Sequence, residues 1–507
     1  MLMFLSHQAA AAAGRRPQLR APLTVLFLVA SLAILAGCAS VGPDYRPPQP
    51  QVPQSWSAKP DPALVPDPVQ VREWWTVFND PLLTRYIETA AARNLDLKAA
   101  LARVQQARAQ LAAVTGERYP LVDAVGEALR SQSSSNVEPG TPLVTTSRHT
   151  LNLDAGWEID LFGRVRRSVE AATADLEATE EDRLDVMTSL YAEVARTYLT
   201  LRTAQARLAA TEGNIASQRQ VLELTRSRFR FGLAADLDVA QAEDVLANSE
   251  AQVPPLRSII RQSAASLALL LALHPGSLQE ELSDVKPIPV PPEQVAVGVP
   301  SDLLRQRPDI RRAERVLAAE TARIGVATAD LFPRFTLLGV LGLDATDAGR
   351  VFAGGSTFYA FGPSFRWNVF DAGRIRSRIQ AADARTEEAL FQYEQTVLRA
   401  LSEVENAMTA FAEERRRMEA LQRSVAASRR TLALAMDLYK EGLRDFQSVL
   451  DAERTIFDVE NQLAAARGNT ADNLVQLYKA LGGGWPLETA GRKPEILDVK
   501  DPNFSEE

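Results

Sequence analysis

Two blocks of this sequence recur further along the chain at one fixed spacing. Trp157, Gly163, Arg164 and Arg166 return as Trp367, Gly373, Arg374 and Arg376, each 210 residues later. Gly232, Leu233, Val239, Ala242 and Glu243 return as Gly442, Leu443, Val449, Ala452 and Glu453 at the same spacing of 210. Distant matches that share one register point to two structural repeats in one chain. Pro120 and Pro333 each precede a strand-like run and differ by 213, so loop lengths differ slightly between the halves.

Both halves show the same order of segments. A helical stretch comes first, about 82–117 and about 301–330. Two strand-like runs follow in each half, forming hairpins at about 119–162 and about 333–370. Then comes a very long helical stretch, about 168–229 and about 376–440. A glycine break leads to a last helix, about 235–272 and about 446–481. Ala, Leu, Arg, Glu and Gln dominate the helical stretches, as strong helix formers should. Patterns much longer than ~25 residues imply coiled-coil packing, and at ~1.5 Å per residue the longest helices reach on the order of 90–100 Å. The run Glu413, Glu414, Arg415, Arg416 and Arg417 reads as a solvated helix face with i, i+3 and i, i+4 pairs.

The strand runs carry a second period. From Leu151 to Leu161 every odd position is apolar, and every even one is polar or glycine. A tilted strand of ~9–11 residues crosses a membrane. One face would meet lipid; the other, with Asn152, Asp154, Glu158 and Asp160, would meet water. The second hairpin alternates less cleanly but is rich in aromatics: Phe335, Phe358, Tyr359, Phe361, Phe365 and Trp367. Four strands cannot close a barrel, and lipid does not tolerate open edges. Two copies would give eight strands and a filled interior; three would give twelve and a water-filled bore.

The start of the chain reads as a leader. Arg15, Arg16 and Arg20 precede an apolar stretch from Ala21 to Ala36, and no acid occurs before Cys38. The stretch is shorter than the ~20 residues of a membrane helix. It ends at Leu35, Ala36, Gly37 and Cys38, a lipobox, so residues 1–37 read as a lipoprotein signal peptide and Cys38 as the lipidated residue. Ala39, rather than Asp, resembles lipoproteins sent to the bacterial outer membrane. Pro43, Pro47, Pro48, Pro50, Pro53, Pro60, Pro62, Pro66 and Pro68 make an extended strap within 38–81. The first repeat spans 82–272, with its tip at about 230–236. A second proline cluster marks 273–300 as a linker, 301–481 is the second repeat with its tip at about 440–446, and 482–507 is a tail.

Charge and residue usage exclude other classes. A formal net charge of −8 is the reverse of a nucleic-acid binder's balance. His7, His149 and His274 lie far apart and Cys38 is the only cysteine, which argues against a Cys/His zinc site or nucleophile pair. No nucleophile–base constellation, P-loop or dinucleotide fingerprint is present, so neither an enzyme nor a cofactor is expected. A periplasmic coiled-coil scaffold or adaptor lipoprotein stands as the alternative; it accounts for helices and lipid but not for membrane-length strands in both halves.

Four stretches resemble the TolC-like outer-membrane factors (outer membrane efflux proteins), lipoprotein branch, associated with resistance-nodulation-division efflux pumps. They run from Cys38 to Tyr45 with the prolines after it, from Trp74 to Leu82, from Val299 to Ile310 and from Trp367 to Arg376. The resemblance implies a mainly α homotrimer with a transmembrane β part. A twelve-stranded outer-membrane β-barrel would continue into a twelve-helix periplasmic α-barrel. The chain would conduct substrates passively as the exit duct of a tripartite system, with a periplasmic adaptor (membrane fusion) protein, an inner-membrane pump and outer-membrane lipid as partners. Gly232, Leu233, Gly442 and Leu443 would form the tips that meet the adaptor, and the linker and tail an equatorial belt. Tyr439, Arg444, Asp238 and Asp451 fall on the family's gate positions. Tyr439 and Arg444 would link to the neighbouring hairpin around Asp238, and three copies of Asp451 would ring the aperture. Gln447 departs from the apolar residue often found four positions before that Asp. Leu237 replaces a small polar residue, leaving Arg444 to use Asp236 or backbone carbonyls.

Overall fold

The structure, a computed structural model, describes residues 40–57, 62–65, 67, 72–134, 136 and 143–485. The leader, Cys38 and the tail after Trp485 lie outside the described residues. In chain order the elements are β1 (Leu64–Val65), α1 (Pro81–Arg93), α2 (Leu95–Gly116), β2 (Leu121–Gln132), β3 (Thr145–Ile159), α3 (Arg164–Arg230), α4 (Asp236–Ala251) and α5 (Val253–Leu270). They continue with α6 (Gln279–Ser283), β4 (Val295–Ala296), α7 (Leu303–Gln306), α8 (Pro308–Ala329), β5 (Arg334–Ala345), β6 (Thr357–Arg366), α9 (Arg374–Lys440) and α10 (Phe446–Ala480). Short 3-10 turns lie at Trp74–Phe78, Pro300–Asp302 and Ala348–Arg350. Among the described residues no helix is long and apolar enough to cross a membrane.

The chain divides into two compact units. The first holds residues 40–45, Leu111–Ala172 and Glu320–Arg385. Its centre is a sheet in the order β2-β3-β5-β6, antiparallel throughout. Register sorts the side chains. Ala124, Leu153, Leu341 and Tyr359 lie in one row across the strands, and Trp157 and Leu337 share that face. Asp123 opposes Asp154, Glu127 opposes Thr150, which opposes Asp344, and Glu158 opposes Thr336 on the other face. The apolar row is the uncovered one: Leu151, Leu153, Leu341, Tyr359 and Phe361 are all exposed. In a water-soluble sheet this face would be the core. The free sides of β2 and β6 are open edges.

The sheet meets its helices through repeated contacts. Trp157 Nε1 donates to the Arg118 carbonyl at 2.9 Å, and Trp367 Nε1 donates to the Leu331 carbonyl at 3.0 Å. Asp160 accepts the Arg166 amide at 2.9 Å, and Asp371 accepts the Ile375 amide at 2.7 Å, so each carboxylate caps the start of a long helix. The last strand stops at Arg366, short of the expected Phe370, because the chain turns toward this Asp371 cap.

The second unit holds Arg46–Gln110, Thr173–Ala319 and the described residues from Thr386 onward. Its core gathers Trp74, Trp75, Phe78, Leu83 and Ile87 with Tyr191, Tyr198, Leu267, Phe411, Leu474 and Trp485. Trp74 stacks on Tyr478, with centroids 5.7 Å apart, and Trp75 meets Tyr191 edge-on at 5.1 Å. Asp80 caps α1 through the Leu82 and Leu83 amides and accepts the Tyr198 hydroxyl at 2.7 Å. The stretch from Val299 to Ile310 ties three helices together. Arg307 donates to the Ala480 carbonyl at 2.9 Å and pairs with Asp309 and Glu403, while Trp485 Nε1 donates to the Gln306 carbonyl. The strap and the linker meet as β1 and β4, paired in parallel.

α3 and α9 are 67 residues each, about 100 Å long. Three helical expectations need correction. The stretch 301–330 is interrupted at Arg307, whose extended backbone (φ −83°, ψ 120°) is the one that Pro308 imposes on the residue before it. The stretch 82–117 is two helices, separated at buried Asn94, which donates to the Leu270 carbonyl and accepts the Leu97 amide. The stretch 235–272 breaks at Gln252, because Pro254 and Pro255 cannot donate to Glu250 and Ala251. α10, without a proline, runs unbroken over 35 residues.

Candidate functional site: the paired helix turns

Two turns end the long helices, and both are built alike. The Gly232 amide donates to the Phe229 carbonyl and the Leu233 amide to Arg228. The Gly442 amide donates to Tyr439 and the Leu443 amide to Leu438. This paired bonding needs a left-handed residue at its centre. Gly232 has φ +70° and Gly442 +75°. Phe231, Leu233, Leu237 and Leu443 stand exposed around the turns.

Beneath the turns Val221, Leu222, Ala242, Val245, Tyr439, Phe446, Val449 and Leu450 form one apolar cluster. It holds Tyr439 at 3% exposure, with the Phe446 ring 5.3 Å away. Arg228 also packs here: its guanidinium lies 4.7 Å from the Tyr439 centroid, and its Nη1 donates to the Lys440 carbonyl at 3.0 Å. The first turn is thereby fastened to the second within one protomer. Burial pushes the Tyr439 hydroxyl's pKa up, and that hydroxyl lacks a hydrogen bond of ordinary geometry.

The other expected residues fall into two groups. Asp238 accepts the Ala235 amide at 3.1 Å, closing the first turn of its own helix. Gln447 donates to Asp451 Oδ1 at 2.8 Å on exposed helix surface, and Asp445 caps α10 by accepting the Ser448 amide. Asp236 and Arg444 are exposed, and neither side chain has a hydrogen bond or ion pair to a described residue. Tyr439 meets Arg228 and Phe446 rather than a hydrogen-bonded Asp238. Cys38 lies outside the described residues. Among the described residues, no group of three or more His, Cys, Asp and Glu is placed to hold a metal.

Sequence reasoning missed Arg228 and Glu453. Arg228 had a signal: 210 residues on stands Leu438, so the halves differ there. Glu453 is 3% exposed, its Oε1 is enclosed without a partner among the described residues, and burial pushes its carboxyl up to about 7.

The family model for outer membrane efflux proteins matches residues 86–273 and 299–483, ending on the same two helical halves. The chain belongs to the outer membrane efflux protein family. Nodulation protein T of Rhizobium leguminosarum bv. trifolii is 34% identical over 459 residues, 90% of this chain and 97% of that protein. The toluene efflux pump outer membrane protein TtgC of Pseudomonas putida is 31% identical over 487 residues, 94% of this chain and 99% of TtgC. Among solved structures, the outer-membrane channel OprN is 37% identical with a TM-score of 0.83, covering 88% of this chain and 100% of that one. The open-state MtrE outer membrane channel of Neisseria gonorrhoeae is 28% identical with a TM-score of 0.78, covering 89% and 100%. As a member of this efflux family the chain is an outer-membrane channel protein, and the scaffold alternative falls away.

Proposed function

We propose that three copies of this chain form a twelve-stranded barrel in the outer membrane, continuous with a periplasmic barrel of twelve helices. The assembly is the passive exit duct of a tripartite efflux system. The observation that carries this is the sheet: its apolar face is uncovered and both of its edges are open. Lipid suits the face, and neighbouring copies suit the edges. The equal lengths of α3 and α9, and their matching glycine turns, support two structural repeats per chain.

The gate lies at the paired turns. Tyr439 is fixed by its cluster, while Arg444 and Asp236 are free to pair with a neighbouring copy. Around a threefold axis, Asp451 with its Gln447 partner supplies a ring of negative charge that attracts cations. Gly232, Leu233, Gly442 and Leu443 present apolar turns to a periplasmic adaptor, and an inner-membrane pump of the resistance-nodulation-division type drives transport. Cys38 carries the lipid. The mass of the detergent-solubilised protein by light scattering tests the assembly. Three chains are expected, and a monomer would contradict the barrel.

A further inference from the structure

Residues 40–44, the first described after Cys38, are gripped by the sheet-bearing unit. The Val41 amide donates to the Phe162 carbonyl at 3.0 Å. Arg167 donates through Nε to the Val41 carbonyl at 3.1 Å, and through Nη2 to the Gly42 carbonyl at 3.4 Å and Asp44 Oδ1 at 2.7 Å. Its Nη1 pairs with Glu170 at 2.8 Å, and its side chain is only 4% exposed. Glycines make the fit possible. A Cβ on Gly325 would come 2.7 Å from Arg167 Cγ, and one on Gly163 would come 2.7 Å from the Ser40 side chain. A Cβ on Gly42 would come 2.5 Å from Gly325 Cα. Each such approach is far inside van der Waals contact.

The duplicated half supplies an internal control. Gly373 stands 210 residues after Gly163 and has the same kind of backbone, φ +84° against +83°. Yet a Cβ on Gly373 would meet nothing within 4 Å, and Ser377 stands where the first half has Arg167. The turn is common to both halves; the grip belongs to the first alone.

We propose that Gly163, Arg167 and Gly325 form a docking socket for the segment directly after Cys38, holding the membrane anchor at one fixed point. The anchoring part rests on the lipidation of Cys38 proposed above; the socket does not. Two residues of extended chain span at most ~7 Å, so the acylated cysteine is confined beside Ser40. Without the socket, the proline-rich strap that follows would let the anchor range over the surface.

Hydrogen exchange read by mass spectrometry on the full-length, detergent-solubilised protein tests this. In the wild type the Val41 amide should exchange at least about tenfold more slowly than in an unstructured chain. Arg167→Ala and Gly325→Leu should abolish that protection, and Ser377→Ala should leave it intact. Unchanged protection of β3 shows that each variant folds. If a variant of the body fails to fold, Ser40→Trp makes the same test from the segment's side. Fast exchange in the wild type, or protection that survives Arg167→Ala or Ser40→Trp, overturns the socket. The mass of the N-terminal peptide reports acylation separately. A protected segment without an acyl mass keeps the socket and removes the anchor.

Discussion

The Arg228 guanidinium lies over the Tyr439 ring, 4.7 Å from its centroid, and donates to the carbonyl of the next residue, Lys440, at 3.0 Å. One side chain from the end of α3 thus holds the end of α9. Arg228→Ala removes a cation–π contact and a charge-assisted hydrogen bond, together worth roughly 1–3 kcal/mol. The variant should show faster amide exchange over residues 436–446, with the sheet unaffected. Arg228→Lys should rescue only part of it, since an ammonium cannot stack and donate in the same geometry.

Glu453 makes stability depend on pH. Its folded-state pKa is raised to about 7 by burial, above the ordinary carboxylate value. Below the ordinary value both states are protonated and it contributes nothing. As pH rises toward 7, the unfolded state ionises first and the folded state is progressively disfavoured, by roughly 3 kcal/mol in all. Glu453→Gln should therefore match wild type in thermal melts at pH 4 and exceed it at pH 8. A variant with the same advantage at both pH values would contradict this.

Gly232 and Gly442 occupy left-handed backbone. A Cβ on Gly232 would meet nothing within 4 Å, and one on Gly442 would only graze Arg228 Nη2 at 4.0 Å. The cost of Gly→Ala at either turn is thus conformational, about 1 kcal/mol each. Denaturation midpoints of the two single variants should fall by similar amounts, with no change in the Arg228–Tyr439 contact.

The two faces of β3 should respond oppositely to charge. Leu153 is exposed on the apolar face, and neighbouring Asn152 points to the other. Leu153→Arg should cost ~2–4 kcal/mol if that face meets lipid at mid-depth, and the yield of folded protein in membranes should drop. Asn152→Arg should assemble normally.

Much of this was legible in the sequence, because the relevant signals are local. The alternation from Leu151 to Leu161 needs only a period of two, and the turns at Gly232 and Gly442 need only glycine between helical runs. What was missed depends on contacts between distant segments. Arg228 reads as one more surface arginine until Tyr439 is placed under it. Arg167 gains a role only when residues 40–44 lie against Gly325. The breaks at Gln252 and Arg307 are the exceptions: Pro254, Pro255 and Pro308 stand in plain view inside stretches whose composition reads as single helices. Asn94, by contrast, separates α1 and α2 because Leu270, far along the chain, offers it a carbonyl.

Single-channel conductance in a planar bilayer, comparing wild type with an Arg444→Ser variant, decides whether the paired turns gate a duct. Small or flickering currents are expected from the wild type and clearly larger ones from the variant, reduced by multivalent cations at Asp451. Equal currents would move the gate away from the paired turns. No current from either, with insertion verified, would contradict the duct itself.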